Sequence, residues 1–198
     1  MNKTSQIETV SSLQLEIELA CPEDITPIWE LYQTVWLSTY PNEEFEISKQ
    51  DIWEYLRNYK GEFIECWQKA IAHPGQADDN RAVFVARDKG AVIGFISPKI
   101  NKGERPHRLT SLYVAPEARG KGVGSQLVEQ VLDWHGDNDI YLYVAPWLKN
   151  AQRLYERFGF SLIEGEPYTS STAAQYLTLK WCDLGEAGGK LLSLGRYT

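Results

Sequence analysis

Leu13, Leu15, Ile17 and Leu19 alternate with polar residues, the period-2 pattern of a strand with one buried face. Cys21-Pro22-Glu23 ends it. Ile28, Leu31, Tyr32 and Val35 then recur at helical spacing behind Asp24, which reads as an N-cap with Pro27 in the first turn. Ser48, with Asp51 three residues on, opens a second helical stretch through Ile52, Trp53, Leu56, Phe63, Ile64, Trp67 and Ile71, ending near residue 72 and broken near Gly61. Its aromatic residues, Trp53 and Trp67, read as core. Residues 36–46, rich in turn formers, are predicted as a loop. Residues 81–86 and 91–96 flank Asp88-Lys89-Gly90 and predict a hairpin, and 108–114 predict a third strand.

That third strand leads into the most informative stretch. Alternation stops at Val114, Pro116 and glycines make a turn, and Leu127, Val128, Val131 and Leu132 resume at helical spacing. A helix that starts in glycines presents unbonded N–H groups and the positive end of its dipole, and Arg119 and Lys121 add cations. Such a turn suits a phosphate or pyrophosphate; the alternative is a turn that uses glycine only for left-handed backbone angles. The nucleotide P-loop needs Ser or Thr after Gly-Lys, but Gly122 follows Lys121. Glycines at 120, 122 and 124 also miss the dinucleotide spacing G-x-G-x-x-G. Downstream, 140–144 predict a strand, 151–158 a helix stopped by Gly159, and 161–164 and 175–181 two more strands.

Arg119-Gly120-Lys121-Gly122-Val123-Gly124 after Leu112-Tyr113-Val114-Ala115-Pro116 resembles the pyrophosphate motif of the GNAT-type acyl-CoA N-acetyltransferases. Ala151-Gln152-Arg153-Leu154-Tyr155-Glu156-Arg157-Phe158-Gly159-Phe160 resembles that family's A-x-x-x-Y-x-x-x-G-F signature. The resemblance implies an α/β (α+β) fold with a mixed, mostly antiparallel seven-stranded sheet flanked by helices, in the order β-α-α-β-β-β-α-β-α-β-β. It implies acetyl-CoA as co-substrate, held by Leu112, Tyr113, Val114, Arg119, Gly120, Lys121, Gly122, Val123, Gly124, Ser125, Ala151 and Tyr155, and no metal. It gives Tyr155 the role of general acid toward the departing thiolate. Where the family has an asparagine seven residues before this tyrosine, the chain has Leu148, with Asn150 nearby as a helix cap. No acid stands on the strand His107-Arg108-Leu109-Thr110-Ser111, so the general base is open among His107, Glu104 and a water chain. The implied reaction is direct attack of a primary amine of a small molecule or peptide; the alternative is a non-catalytic acyl-CoA-binding module. Trp36, Tyr40 and Glu43, with Glu164 and Glu166, read as the acceptor pocket, suited to a cationic or neutral amine.

Composition narrows the class. At 198 residues with a formal charge of −7, the chain has the size of one domain and lacks the cationic surface of a nucleic-acid binder. Cys21, Cys66 and Cys182 have neither disulfide-framework nor zinc spacing, and lying outside both motifs they speak against a cysteine-linked intermediate. No apolar run reaches the ~18 residues of a membrane helix. The expectation is a cytoplasmic protein, monomer or homodimer, with a loose leader at 1–12, the domain at 13–181 and a tail at 182–198 acting as a flap or partner-binding strand.

Overall fold

The computed structural model describes residues 13–44, 46–76, 80–100, 107–136, 139–145, 147–162 and 190–194. β1 (Leu15–Leu19), β2 (Phe84–Asp88) and β3 (Ala91–Lys99) pair antiparallel, and β3 pairs antiparallel with β4 (His107–Val114). β5 (Ile140–Val144) runs parallel to β4. This is the expected mixed, mostly antiparallel sheet. Lys89 (φ 50°) and Gly90 (φ 83°) make the tight hairpin turn that their spacing predicts. Beyond β5 the described residues add β6 (Ser161–Leu162) and β7 (Lys190–Leu194), in the sheet order β1-β2-β3-β4-β5-β7-β6. Lys190–Leu194, expected as part of a flap or partner-binding tail, is therefore paired within the sheet on both sides. The strand expected at 175–181 and the leader lie outside the described residues.

α1 (Ile25–Thr39) and α2 (Lys49–Ala72) cover one face of the sheet. Tyr32 meets Tyr113 edge-on at 5.2 Å and Trp67 meets Phe95 at 5.1 Å. α3 (Val123–His135) covers the other face: a Cβ placed on Gly94 of β3 would lie 3.1 Å from Leu127 and 3.2 Å from Val123. That glycine lets the helix approach the strand. α4 (Lys149–Arg157) follows β5.

Four local expectations need correction. α1 continues through Thr39, because Val35, Trp36 and Thr39 extend the spacing of Ile28, Leu31 and Tyr32; Trp36 is a buried helical residue. α2 passes unbroken through Gly61, and Trp53 is 45% exposed with Arg57 over its ring at 5.0 Å. Asp24 does not cap α1 with its side chain. Buried instead, its carboxylate accepts from the Cys21 backbone N–H (2.9 Å) and from Arg87 Nη2 (2.7 Å), tying the entry to α1 onto β2. Ser48 and Asp51 do form the expected reciprocal cap of α2.

Candidate active site

The site begins with an irregularity in β4. Ser97 faces Ser111 but Pro98 faces Leu109, so Thr110 is the extra residue of a β-bulge. Thr110 Oγ1 donates to the Ser97 carbonyl (2.8 Å) and accepts from Arg81 Nη1 (3.0 Å), which pins the bulge. The parallel pairing with β5 runs only from His107↔Ile140 to Leu109↔Leu142 and stops at this point. β4 then continues to Val114 while β5 diverges from it. Ala115 N donates to Ile93 O (2.9 Å), which makes Val114 and Gly94 a pair that does not exchange hydrogen bonds. The main-chain groups of Val114, and by alternation those of Leu112, therefore face away from β3 into the opening. Those of Tyr113 face β3.

A glycine turn closes the end of this opening. Gly120 (φ 73°) and Gly122 (φ 87°) adopt left-handed angles that other residues resist, and a Cβ on either would meet nothing within 4 Å. Conformation, not crowding, selects glycine there, and the space above stays open. Gly122 is the N-cap of α3 and supplies no side-chain cap; the first-turn N–H groups precede the bond from Gln126 N to Gly122 O (3.1 Å). Gly124 is glycine for a different reason, since a Cβ would lie 3.3 Å from Leu154 and 3.8 Å from Val114. α3, α4 and the end of β4 converge on it.

The two expected cations behave differently. Arg119 braces the turn, donating from Nε to the Val114 carbonyl (3.1 Å) and from Nη2 to Thr39 Oγ1 (3.1 Å). Lys121 is exposed and has no hydrogen bond or ion pair among the described residues. A third cation, which the sequence reading did not single out, is Arg157: from α4 its Nη2 donates to Ser125 Oγ in the first turn of α3 (3.2 Å). The signal for it was the packing of α4 on Gly124, invisible in spacing alone. Gln152 was also passed over; it is buried, and its Nε2 donates to Ala145 O (3.0 Å), holding the chain leaving β5.

Tyr155 and half-buried Ala151 lie on α4. Tyr155 is 6% exposed, packs on Phe160 at 5.7 Å, and its hydroxyl makes no hydrogen bond among the described residues. Burial, with a smaller contribution from Tyr40, raises its phenol above the usual range, so it stays protonated at neutral pH. Tyr40, at the C-terminus of α1, packs against Trp36 with ring centres 4.7 Å apart and the planes tilted by 44°. Of the three expected acceptor residues, the structure places Tyr40 at the end of α1 against Trp36 and buries Trp36 in that helix. Glu43 is exposed in a turn closed by the Asn42–Ile47 bridge, and its carboxylate has no hydrogen bond or ion pair among the described residues. Glu104, Glu164 and Glu166 lie outside those residues.

His107 stands at the far end of β4 from Val114, roughly 20 Å away at ~3.3 Å per residue, with Nδ1 2.6 Å from Nδ1 of His135. Asn150 lies inside α4 and is not its cap, a position held by Leu148 without a side-chain bond. Among the described residues no group of three His, Cys, Asp or Glu is placed to hold a metal, and no helix is long and apolar enough to cross a membrane.

A parallel strand pair that parts beside a glycine-started helix places this chain in a class of mixed α/β folds with an opening at the carboxyl end of the parallel strands. The chain belongs to the acetyltransferase (GNAT) family, whose profile matches residues 27–160. It is 31% identical over 120 residues to a mycothiol acetyltransferase of Acidimicrobium ferrooxidans, covering 50% of this chain and 39% of that protein. With a mycothiol acetyltransferase of Rhodococcus opacus it is 32% identical over 94 residues, 48% of this chain and 30% of that one. The chain therefore matches well under half the length of these relatives. The PaiA N-acetyltransferase of Thermoplasma acidophilum, solved in complex with coenzyme A, superposes with a TM-score of 0.70 at 21% identity, over 93% of this chain and all of that one. Naa50 of Arabidopsis thaliana, solved with a bisubstrate analogue, gives 0.58 at 17% identity, over 92% and 99%. At these identities the superpositions speak to fold.

Proposed function

We propose that this chain transfers an acetyl group from acetyl-CoA to a primary amine of a small molecule or peptide by direct attack, residues 13–181 acting as one domain. The observation that carries the reading is the outward-facing main chain of Leu112 and Val114 in the opening between β4 and β5. In this reading those groups take the thioester arm as an added strand would, and the Val114 N–H polarises the thioester carbonyl. The first-turn N–H groups of α3, with Lys121 and Arg157, hold the pyrophosphate. Acetyl-CoA supplies the activated acyl group.

Tyr155 is proposed as the proton donor to the departing thiolate. Its raised pKa makes the phenol a weaker acid, but a thiolate buried beside it has its proton affinity raised by the same desolvation. Direct attack is favoured over a cysteine-linked route because Cys21, ahead of α1, and Cys66, on α2, lie outside both the β4–β5 opening and the glycine turn. The test is Tyr155→Phe, assayed with an amine panel for acetyl-CoA consumption. Turnover is expected to fall ~10²–10⁴-fold with acetyl-CoA affinity and melting temperature little changed. Near-normal turnover would reassign Tyr155 to packing. Tight binding of acetyl-CoA with no amine consumed would favour the non-catalytic binding module.

A further inference from the structure

α4 spans only the nine residues Lys149–Arg157, and a helix shorter than ~12 residues is marginal in water, so tertiary contacts decide where it lies. Two of its residues are buried, Gln152 and Tyr155, three apart and therefore on one face. Leu148, at its N-cap, supplies no side-chain bond. Of the two buried residues Gln152 is the costly one. Burying a polar side chain is unfavourable unless it is hydrogen-bonded, and a glutamine loses more rotamer freedom than a leucine would. An apolar residue would fill the same space at lower cost, but without direction.

The bond that Gln152 makes supplies the direction. Its Nε2 donates to the Ala145 carbonyl (3.0 Å), which also accepts from the Leu148 N–H (3.0 Å), and Gln152 N donates to Leu148 O (3.1 Å). Ala145 directly follows Val144, the last residue of β5. Pairing of β5 with β4 ends at Leu142, while Tyr143 and Val144 still pair with Leu191 and Lys190 of β7. Residues 143–145 therefore belong to the far wall of the opening, across from Leu112 and Val114. The bond from Gln152 ties that wall to the face of α4 that carries Tyr155. At 1.5 Å of rise per residue, Gln152 and Tyr155 are about 4.5 Å apart along the helix, so a shift at one is passed to the other almost undiminished.

We infer that Gln152 is a positioning residue, whose buried amide fixes α4 against the end of β5 and so places the Tyr155 hydroxyl relative to the opening. It acts through Tyr155 and not on the reacting atoms. Proton donation works only within hydrogen-bond reach, about 2.6–3.2 Å, and a displacement of ~1 Å can cost up to ~10²-fold in rate. The inference rests on the proposed role of Tyr155 as proton donor and goes beyond it, because it assigns the group that holds the donor in place.

Gln152→Met tests it in the full chain, because methionine keeps the length of the side chain and removes the donor. The carbon-13 resonance of Tyr155 Cζ, identified by its absence in Tyr155→Phe, reports the surroundings of the tyrosine with no acceptor present. That resonance is expected to shift in Gln152→Met. With n-butylamine and the tetrapeptide amide Ala-Gly-Gly-Gly as acceptors, kcat is expected to fall about tenfold while KM and acetyl-CoA affinity change less than about twofold. A Tyr155 resonance that stays where it is in the wild-type protein overturns the inference. A shifted resonance with wild-type kcat upholds the tie and instead removes Tyr155 as the proton donor. A second measurement needs no variant: in the wild-type protein the Gln152 Nε2 protons are expected to exchange far more slowly than those of an exposed glutamine. Exchange at the exposed rate overturns the tie.

Discussion

The first residues of β4 and its last ones are one strand under opposite conditions. At the start, Leu109, Ile140 and Leu142 are buried in a paired parallel ladder, and His107 and His135 share a proton between facing nitrogens. At the end, Leu112 and Val114 are half-buried and turn their main-chain groups into an opening that β5 does not fill. A bulge at Thr110 separates the two. Unpaired strand edges invite unwanted pairing unless something manages them. Here divergence of β5 from β4 makes the edge the wall of a cleft, and the difference teaches that ligand-binding capacity is made by withdrawing a partner strand.

The sealed start is the place for the largest stability effect. Leu109→Ala is expected to cost ~2–5 kcal/mol in denaturant unfolding, as buried leucine truncations do, with acetyl-CoA affinity retained in the folded protein. At the open end the effect moves to binding. Gly122→Asp puts a carboxylate where phosphates approach and forces a side chain onto a φ of 87°, and calorimetry is expected to show at least a ~100-fold loss of acetyl-CoA affinity. Thr110→Val probes the boundary. It removes the hydroxyl that serves Ser97 O and Arg81, costing ~1–3 kcal/mol and weakening acetyl-CoA binding through the altered divergence, while Thr110→Ser retains both bonds.

The mildest effect is a pH slope at the sealed start. Burial, with the charge of His107 adding, pushes His135 down to about 4, below its ordinary 6.5. A depressed histidine pKa means that the neutral form is favoured in the folded state, so its contribution is present above about 6.5 and fades as pH falls toward about 4. Melting temperature followed from pH 7 to 4 is expected to decline through that window, and less steeply in His135→Phe.

The open end was legible in sequence where conformation is encoded locally. Glycines at 120 and 122 announce left-handed angles, and the helical run after them announces a helix start. The opening itself was not legible. Its bulge depends on Thr110 reaching Ser97 and on Arg81, 29 residues earlier, and no local pattern records such a contact. Trp36 was read as loop because Ser38, Thr39 and Pro41 are turn formers, yet tertiary packing against Tyr32 and Tyr55 carries the helix on to Thr39. Trp53 was read as core because its spacing fits the stripe of α2, while the helix turns that edge to solvent. Arg157 needed the packing of α4 on the start of α3 before it could be seen beside the glycine turn.

Amide hydrogen exchange at three adjacent residues tests the central claim most directly. The N–H of Tyr113 faces β3, whereas those of Leu112 and Val114 face the opening. Without acetyl-CoA, Leu112 and Val114 are predicted to exchange much faster than Tyr113, and on adding acetyl-CoA both are predicted to slow while Tyr113 changes little. Slow exchange at all three before addition, or no slowing at Leu112 and Val114 with acetyl-CoA bound, would contradict the account.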